Sequence, residues 1–391
     1  MLRLLHTADV HLGARHADLG DVAAAQRERQ FAAFRATVDL AITERVDLFL
    51  VAGDLFDSNV QPRRSVERVA TELGELARAR IRSVLVPGTH DVYDRTSVYR
   101  AYDLAALAGA RGSQDLITVL TPDRPWVHFP SLDAVVHGPV FATKRAPHSP
   151  LRDLAVGGTP TATWHIGLLH ASISIPGKTD GDEVVVTMDE IGASGLDYLA
   201  LGHWHSAQVA KARGVTYAYS GAPEPVALDQ DRAGKVLLVS LDDRVEATRV
   251  TVEERVVGRT SFQHVDIDAA TIGTQPAIIA RLGASASPDL VLDVRITGVR
   301  PDDLDLDVGE VETALKGSFL RVRVRDASRA ALTEGALPPA GTIAGAFIRT
   351  LEARIAATEA SGGPDAEHEA AELRDSLRLG RLLLAGHEVT L

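Results

Sequence analysis

Two short runs in this chain, Asp9-Val10-His11 and His203-Trp204-His205, place a metal-ligating type of side chain on either side of a single residue. On an extended backbone that spacing sends both side chains to the same face, toward one point beyond the strand end. Three further segments carry the same kinds of group: Gly53-Asp54-Leu55-Phe56-Asp57, Gly88-Thr89-His90-Asp91, and His170. A glycine ahead of Asp54, His90 and His203 lets the chain turn sharply and bring ligands close. Two carboxylates and four imidazoles then supply six donors, enough for two divalent ions about 3.5 to 4 Å apart with positions left for water and a phosphate. The chain has no cysteine, so thiolate ligands and disulfides are excluded, and the donors suit manganese, iron or zinc. Taken singly the fragments are weak. Asp9 or Asp54 alone could cap a helix, and a lone His170 at a strand end is more often a satisfied polar residue than a ligand. What gives them weight is their order, each directly after an apolar run that reads as a strand.

Those runs belong to a layered α/β pattern from residue 1 to about 255, in which short apolar stretches alternate with helix-length amphipathic ones. Residues 2–6, 48–52 and 84–87 read as buried strands. Between them, 26–45 and 63–80 carry apolar residues at helical spacing: Phe31, Phe34, Val38 and Ile42, then Val66, Val69, Leu73 and Leu76. Later strands are expected at 166–170, 198–201, 217–219 and 236–240. Helices therefore cover the sheet, and the polar loops at the strand ends are where such folds place their sites. The pattern loosens at 252–261, dividing the chain into domains 1–255 and 260–391. The second reads as a smaller α+β domain, with strands at 262–267, 290–296 and 320–324 and a helix at 308–316. Two further helices at 342–358 and 365–384 are separated by Ser361-Gly362-Gly363-Pro364. Ile343, Phe347, Leu351 and Ile355, with Leu373, Leu377 and Leu384, make a stripe that serves either as core or as a partner-docking surface.

The formal net charge of −12 argues against binding nucleic acid through a broad basic surface. A cavity holding two divalent cations is nevertheless locally positive. No apolar run approaches the roughly 18 residues that span a bilayer, and the apolar start is too short for a signal peptide. A cytoplasmic protein without membrane contact is the expectation.

The ordered motifs D-x-H, G-D-x-x-D, G-x-H-D, H and G-H-x-H resemble those of the calcineurin-like metallophosphoesterases. Thr7-Ala8-Asp9-Val10-His11-Leu12-Gly13 and Gly53-Asp54-Leu55-Phe56-Asp57 are similar in particular to the SbcD and YhaO type of nuclease. The resemblance covers about the first 225 residues, through Ser220-Gly221-Ala222-Pro223-Glu224, and reaches the C-terminal region only by position and size. It implies a layered β-sandwich flanked by helices. It also implies that Asp9, His11 and His205 bind one ion, that Asp54 bridges, and that His170 and His203 bind the other. His90 is then the acid that protonates the leaving oxygen or stabilises the transition state. Where the family has an asparagine ligand this chain has Thr89, whose hydroxyl is shorter and a poorer ligand than an amide carbonyl. A water completes that shell, and the second ion binds more weakly.

The implied reaction is in-line attack on phosphorus by a water that the two ions acidify. The implied role is a DNA exonuclease or endonuclease, the nuclease subunit of a repair complex with an SMC-like coiled-coil ATPase, with a homodimer as a further expectation. Manganese is the expected metal. Two other readings stand beside this one: a nucleotide or small-molecule phosphodiesterase on the same scaffold, and a catalytically weakened DNA-binding or scaffold subunit. Thr89 favours the last, and the retained His90 and six ligands oppose it. Arg15 and Lys178, in polar loops, either meet the phosphate backbone or are solvated loop charges. Asp57 and Asp91 either orient ligands or shape turns, and Trp204 reads as a packing residue. His6, His16, His128, His137, His148, His165, His264, His368 and His387 read as structural or solvent-facing.

Overall fold

The apolar runs near the N-terminus are strands buried on both faces, as parallel strands covered by helices must be. They are β1 (Leu2–Thr7), β2 (Leu48–Ala52) and β3 (Arg82–Val86). Helix α1 (Ala23–Thr43) joins the first to the second and α2 (Arg63–Arg78) the second to the third, which leaves all three parallel. After the short helices α3 (Val98–Ala101) and α4 (Leu104–Leu107), β4 (Ile117–Val119) adds in parallel to β3.

The chain then builds a second sheet. Its strands are β5 (Trp126–Phe129), β6 (Ala134–His137) and β7 (Trp164–His170), followed by a short parallel pair, β8 (Ser172–Ile173) with β9 (Val185–Val186). Helix α5 (Met188–Ala193), held by a Thr187–Glu190 capping box, leads into β10 (Tyr198–Gly202), and β11 (Gln208–Ala212) and β12 (Val215–Tyr219) complete the sheet. The last two strands, β13 (Lys235–Leu241) and β14 (Val250–Val256), return antiparallel to the first sheet. The orders are β14-β13-β1-β2-β3-β4 and β11-β12-β10-β7-β6-β5.

Side-chain alternation shows how the layers stack. Leu4, Leu50 and Val84 from the first sheet meet Phe129, Ile166 and Tyr198 from the second in a shared core, where the His6 ring bonds the Tyr198 hydroxyl at 2.9 Å. The opposite residues, Leu5, Phe49, Val51 and Leu85, pack under Phe34 and Val38 of α1 and Val69 and Leu73 of α2. On the outer face of the second sheet Leu199, Leu201 and Tyr217 pack under Ile191 and Leu196. This part of the chain is thus a β-sandwich flanked by helices.

Beyond it the chain forms β15 (Ser261–Asp268), α6 (Gln275–Gly283), β16 (Leu290–Thr297), β17 (Val299–Arg300), α7 (Val308–Leu315), β18 (Arg321–Asp326), β19 (Arg329–Ala330), α8 (Ile343–Ser361) and α9 (Ala366–Leu384). Strands β15, β16 and β18 form a three-stranded sheet. The two long helices pack on each other: a Cβ on Gly380 would lie 2.1 Å from the Phe347 ring, so part of the apolar stripe is spent within this hairpin. Ile343, at its start, is 82% exposed. The chain divides into two compact units, Met1–His264 with Ala286–Asp293 and Lys316–Val322, and Val265–Ser285 with Val294–Leu315 and Arg323–Leu391.

The structure is a computed structural model that describes all residues but 113–115, 155, 180, 182–183, 226–229, 231, 245–248, 301–303, 331–337, 363–365 and 385–391. Gly363, Pro364, the helix start expected at 365, and His387 lie outside the described residues.

Candidate metal centre

Because β1, β2 and β3 run parallel, the loops that follow them leave the first sheet at one edge, and β7 and β10, paired in parallel through Gly202 and His170, deliver theirs from the second sheet. The ladder continues past the strands. Asp9 N donates to Gly53 O at 3.1 Å, His11 N to Asp54 O at 3.0 Å and Leu12 N to Leu55 O at 3.0 Å. Asp9, His11 and Asp54 sit in left-handed backbone, with φ of 52°, 48° and 48°. Non-glycine residues in that region carry strain on the order of 1–3 kcal/mol, which persists only where the surroundings over-determine it.

Space explains Gly88 and Gly202, while Gly53 is required both by space and by its left-handed backbone, with φ of 86°. A Cβ on Gly88 would lie 2.2 Å from Asp54 Oδ1, on Gly53 2.4 Å from His170 Nδ1, and on Gly202 2.0 Å from Ala52 O. Any side chain at these positions would push a ligand out of place.

What converges is a set of buried donors. Asp9, His11 and His205 bring one ligand atom each to within 4.8 Å of one another, and so do Asp9, Asp54 and His170. Asp54 lies between the two histidines, its Oδ2 being 3.1 Å from His170 Nε2 and 3.8 Å from His11 Nε2. His11 Nε2 and His205 Nε2 face each other at 3.2 Å. Both carboxylates are also held from behind: both oxygens of Asp9 accept from His203 N at 3.0 and 3.1 Å, and Asp54 Oδ1 accepts from His90 N at 2.8 Å.

The far side of each ring is anchored too. His170 Nδ1 donates to Ala52 O at 2.9 Å, His11 Nδ1 faces Asp57 Oδ1 at 3.2 Å, and His205 Nδ1 meets the Gln230 amide. Such partners fix a ring so that its other nitrogen serves as a ligand. His170 Nε2 fits that role: it is buried and points at the cluster, with Asp54 Oδ2 3.1 Å away. Three imidazole nitrogens and two carboxylates crowded together away from water form a donor set that divalent cations would satisfy.

The electrostatics agree. Burial pushes Asp9 up to about 6. Burial also works against ionised Asp54, but the His170 and His11 rings override it and hold that carboxyl below its usual range. Burial alone would lower His170, yet the Asp54 and Asp9 carboxylates raise it to about 10. In His11, too, burial is outweighed, there by the hydrogen bond to Asp57 and the charge of Asp54, and its value is raised. His205 is lowered to about 3, first by burial and then by the neighbouring His11.

A family model for calcineurin-like phosphoesterases matches residues 2–207, more than half of the chain and all the loops just described. The chain belongs to that family. Among its relatives, the DNA double-strand break repair protein Mre11 of Aeropyrum pernix is 28% identical over 281 residues, covering 70% of this chain and 65% of the relative. The SbcD component of the nuclease SbcCD from Rhodobacter capsulatus is 29% identical over 268 residues, covering 59% of this chain and 64% of the relative. The metallophosphoesterase YhaO of Bacillus subtilis is 24% identical over 225 residues, covering 56% and 52%. The chain spans about half to two-thirds of the length of the curated relatives it matches.

The remaining candidates fall at different distances from this cluster. The His203 ring stands edge-on to that of His170, with centroids 5.2 Å apart, and Thr89 is buried beside His170 in the lining of one cleft. His90 is more open, its side chain 45% exposed and its Nδ1 donating to Asp57 O at 3.0 Å. Lys178 Nζ lies 4.7 Å from the centroid of the Trp204 ring, and that ring stacks on Tyr219 and donates to Ser172 Oγ, so Trp204 is a packing residue. Arg15 is exposed in the loop after His11, where its carbonyl accepts from Arg27.

Asp91, left open between turn and support, is fully buried and accepts from Gly88 N, Phe56 N and the Tyr99 hydroxyl, tying the second and third loops together. Asp57 contacts His11 and could itself ligate, since His11, Asp57 and His90 form a third such group. Sequence reasoning missed Gln230 altogether. A glutamine 25 residues beyond His205 carries no signal in spacing or type.

Proposed function

We propose that this chain is a metal-dependent DNA nuclease that hydrolyses phosphodiester bonds at two divalent ions, the nuclease subunit of a repair complex with an SMC-like coiled-coil ATPase. The observation that carries the reading is the convergence of two carboxylates and three imidazoles, all from strand-end loops, with Asp54 between His11 and His170. The relatives named as DNA repair and nuclease proteins supply the substrate class. In this reading Asp9, His11 and His205 hold one ion, Asp54 bridges, and His170, His203 and Thr89 hold the second. Manganese is the metal proposed, with iron or zinc as alternatives. In the same reading residues 1–255 form the nuclease domain, 260–391 form the partner-binding domain, and the working assembly is a cytoplasmic homodimer.

When bound, such ions acidify a water and neutralise charge on the phosphate. The chain's own groups do the rest. Asp57 and Ala52 fix the tautomers of His11 and His170 through Nδ1, leaving each Nε2 for the cluster. Since a carbonyl oxygen can only accept, His90 Nδ1 keeps the proton it shares with Asp57 O; to act as the acid the ring carries a second proton on Nε2, which passes to the leaving oxygen and leaves the neutral Nδ1–H ring behind. Arg15 and Lys178 meet the flanking phosphates.

The test is manganese-dependent cleavage of linear single-stranded and duplex DNA by the wild type beside His90→Ala. Cleavage by the wild type that falls about 100-fold or more in the variant is expected. A wild type inert on DNA but active on a nucleotide phosphodiester would refute the substrate and keep the chemistry. Inertness on both would return the question to Thr89 and a weakened site.

A further inference from the structure

Helix α1 lays Phe31, Phe34 and Val38 against the first sheet, yet two buried positions one turn apart on it are glutamines, Gln26 and Gln30, both fully enclosed. A buried amide is costly unless its hydrogen bonds are made, and here they are. Gln30 Nε2 donates to Val10 O and to His11 O, 3.2 Å each, while the Gln30 oxygen accepts from His16 Nε2 at 2.8 Å. One turn earlier Gln26 donates to Pro225 O at 3.0 Å and accepts from the Thr260 hydroxyl at 3.1 Å.

The carbonyls that Gln30 holds belong to the strained turn of the metal centre. Asp9, His11 and His16 all have left-handed backbone, with φ of 52°, 48° and 49°. The amides of Asp9 and His11 are gripped from one side by Gly53 O and Asp54 O, and Gln30 grips the carbonyls from the other. His16, itself left-handed, steadies the amide that does so.

We propose that Gln30 is a positioning residue for the metal centre: its amide holds the Val10–His11 turn so that Asp9 and His11 present their ligand atoms to one ion. This rests on the metal-binding reading given above. Methionine at 30 would fill nearly the same space in the apolar core, but Val10 O would lose the Gln30 donor and His11 O would keep only the Ala14 amide. Glutamate keeps the shape and turns carboxylate oxygens toward carbonyl oxygens.

Mn2+ affinity by calorimetry, and melting temperature with Mn2+ and with chelator, measured on the full chain, separate positioning from plain stabilisation. For Gln30→Met the dissociation constant is expected to rise about tenfold or more, and the gap between the two melting temperatures to shrink. Gln30→Glu is expected to lose at least as much. If Gln30→Met does not fold, His16→Phe, which removes only the support of the amide, is expected to weaken Mn2+ in the same direction. Equal lowering of both melting temperatures with unchanged affinity, in whichever variant folds, overturns the proposal. A wild type that takes up no Mn2+ refutes the metal reading itself, whereas normal uptake by wild type and variants alike refutes only the role of Gln30.

Discussion

At the scale of single residues, protons and ions compete for the same nitrogens. In the metal-free protein the Asp54 and Asp9 carboxylates outweigh burial and hold His170 protonated up to about pH 10, and His11 is raised as well. A histidine raised above its ordinary value near 6.5 stabilises the metal-free fold fully below that pH and loses the contribution as pH rises through about 10. Metal uptake must displace those protons, so affinity is expected to climb with pH across that window. Calorimetry at pH 7 in buffers of different ionisation enthalpy should show protons released as Mn2+ binds; uptake with no release would mean that His170 is not a ligand. The ligand types were legible because D-x-H and H-x-H spacing and strand-end position are local facts. The supports were not: Gln30 reaches His11 across 19 residues and Gln230 reaches His205 across 25, and nothing local in a sequence marks a glutamine that folding will bring to a ligand.

At the scale of elements, β1 does two jobs. Its apolar residues form core on both faces, and the residue before its last, His6, bonds Tyr198 of the facing sheet beneath the metal centre. Burial lowers His6 to about 3, so the fold takes its neutral form. That contribution is complete above an unfolded value near 6.5 and is lost as pH falls from there toward 3. His6→Leu should therefore flatten the acid limb: between pH 7.5 and pH 5 the wild type should lose about 2 kcal/mol more than the variant in urea unfolding. Parallel losses would place a charged His6 in the fold.

The helices and central strands were readable from their buried, periodic apolar runs. Strands β5, β6 and β11 were not: the first two are only four residues long, and β11 is an edge strand whose residues are mostly exposed. Strand β14 falls partly where the pattern loosens. As an edge strand it keeps polar residues such as Glu253 and Glu254, and only its pairing with β13 identifies it. Helix α6 was likewise missed, although Thr274 caps it and Pro276 opens it, signals that stand in the sequence.

At the scale of the whole molecule, a chain of net charge −12 that acts on DNA as proposed would have to meet it locally, at the ions and at loop cations such as Lys178 beside Trp204. Binding to DNA by the chain alone is therefore expected to be weak and to fall steeply with salt. Fluorescence anisotropy with a labelled duplex over a salt series measures this, and a tight complex at physiological ionic strength without a partner would contradict it. The pattern placed a boundary at 255–260. The compact units instead interleave, with 286–293 and 316–322 grouping with the N-terminal residues, an arrangement that linear periodicity does not carry.

The two-ion site is the centre of the account, and crystals of the protein grown with Mn2+, measured at the manganese absorption edge, test it most directly. Two anomalous peaks are predicted, one among Asp9, His11 and His205 and one among Asp54, His170 and His203. A single peak at the first position would leave Thr89 as the reason for a lost second ion, and no peak at this edge of the sheets would contradict the account.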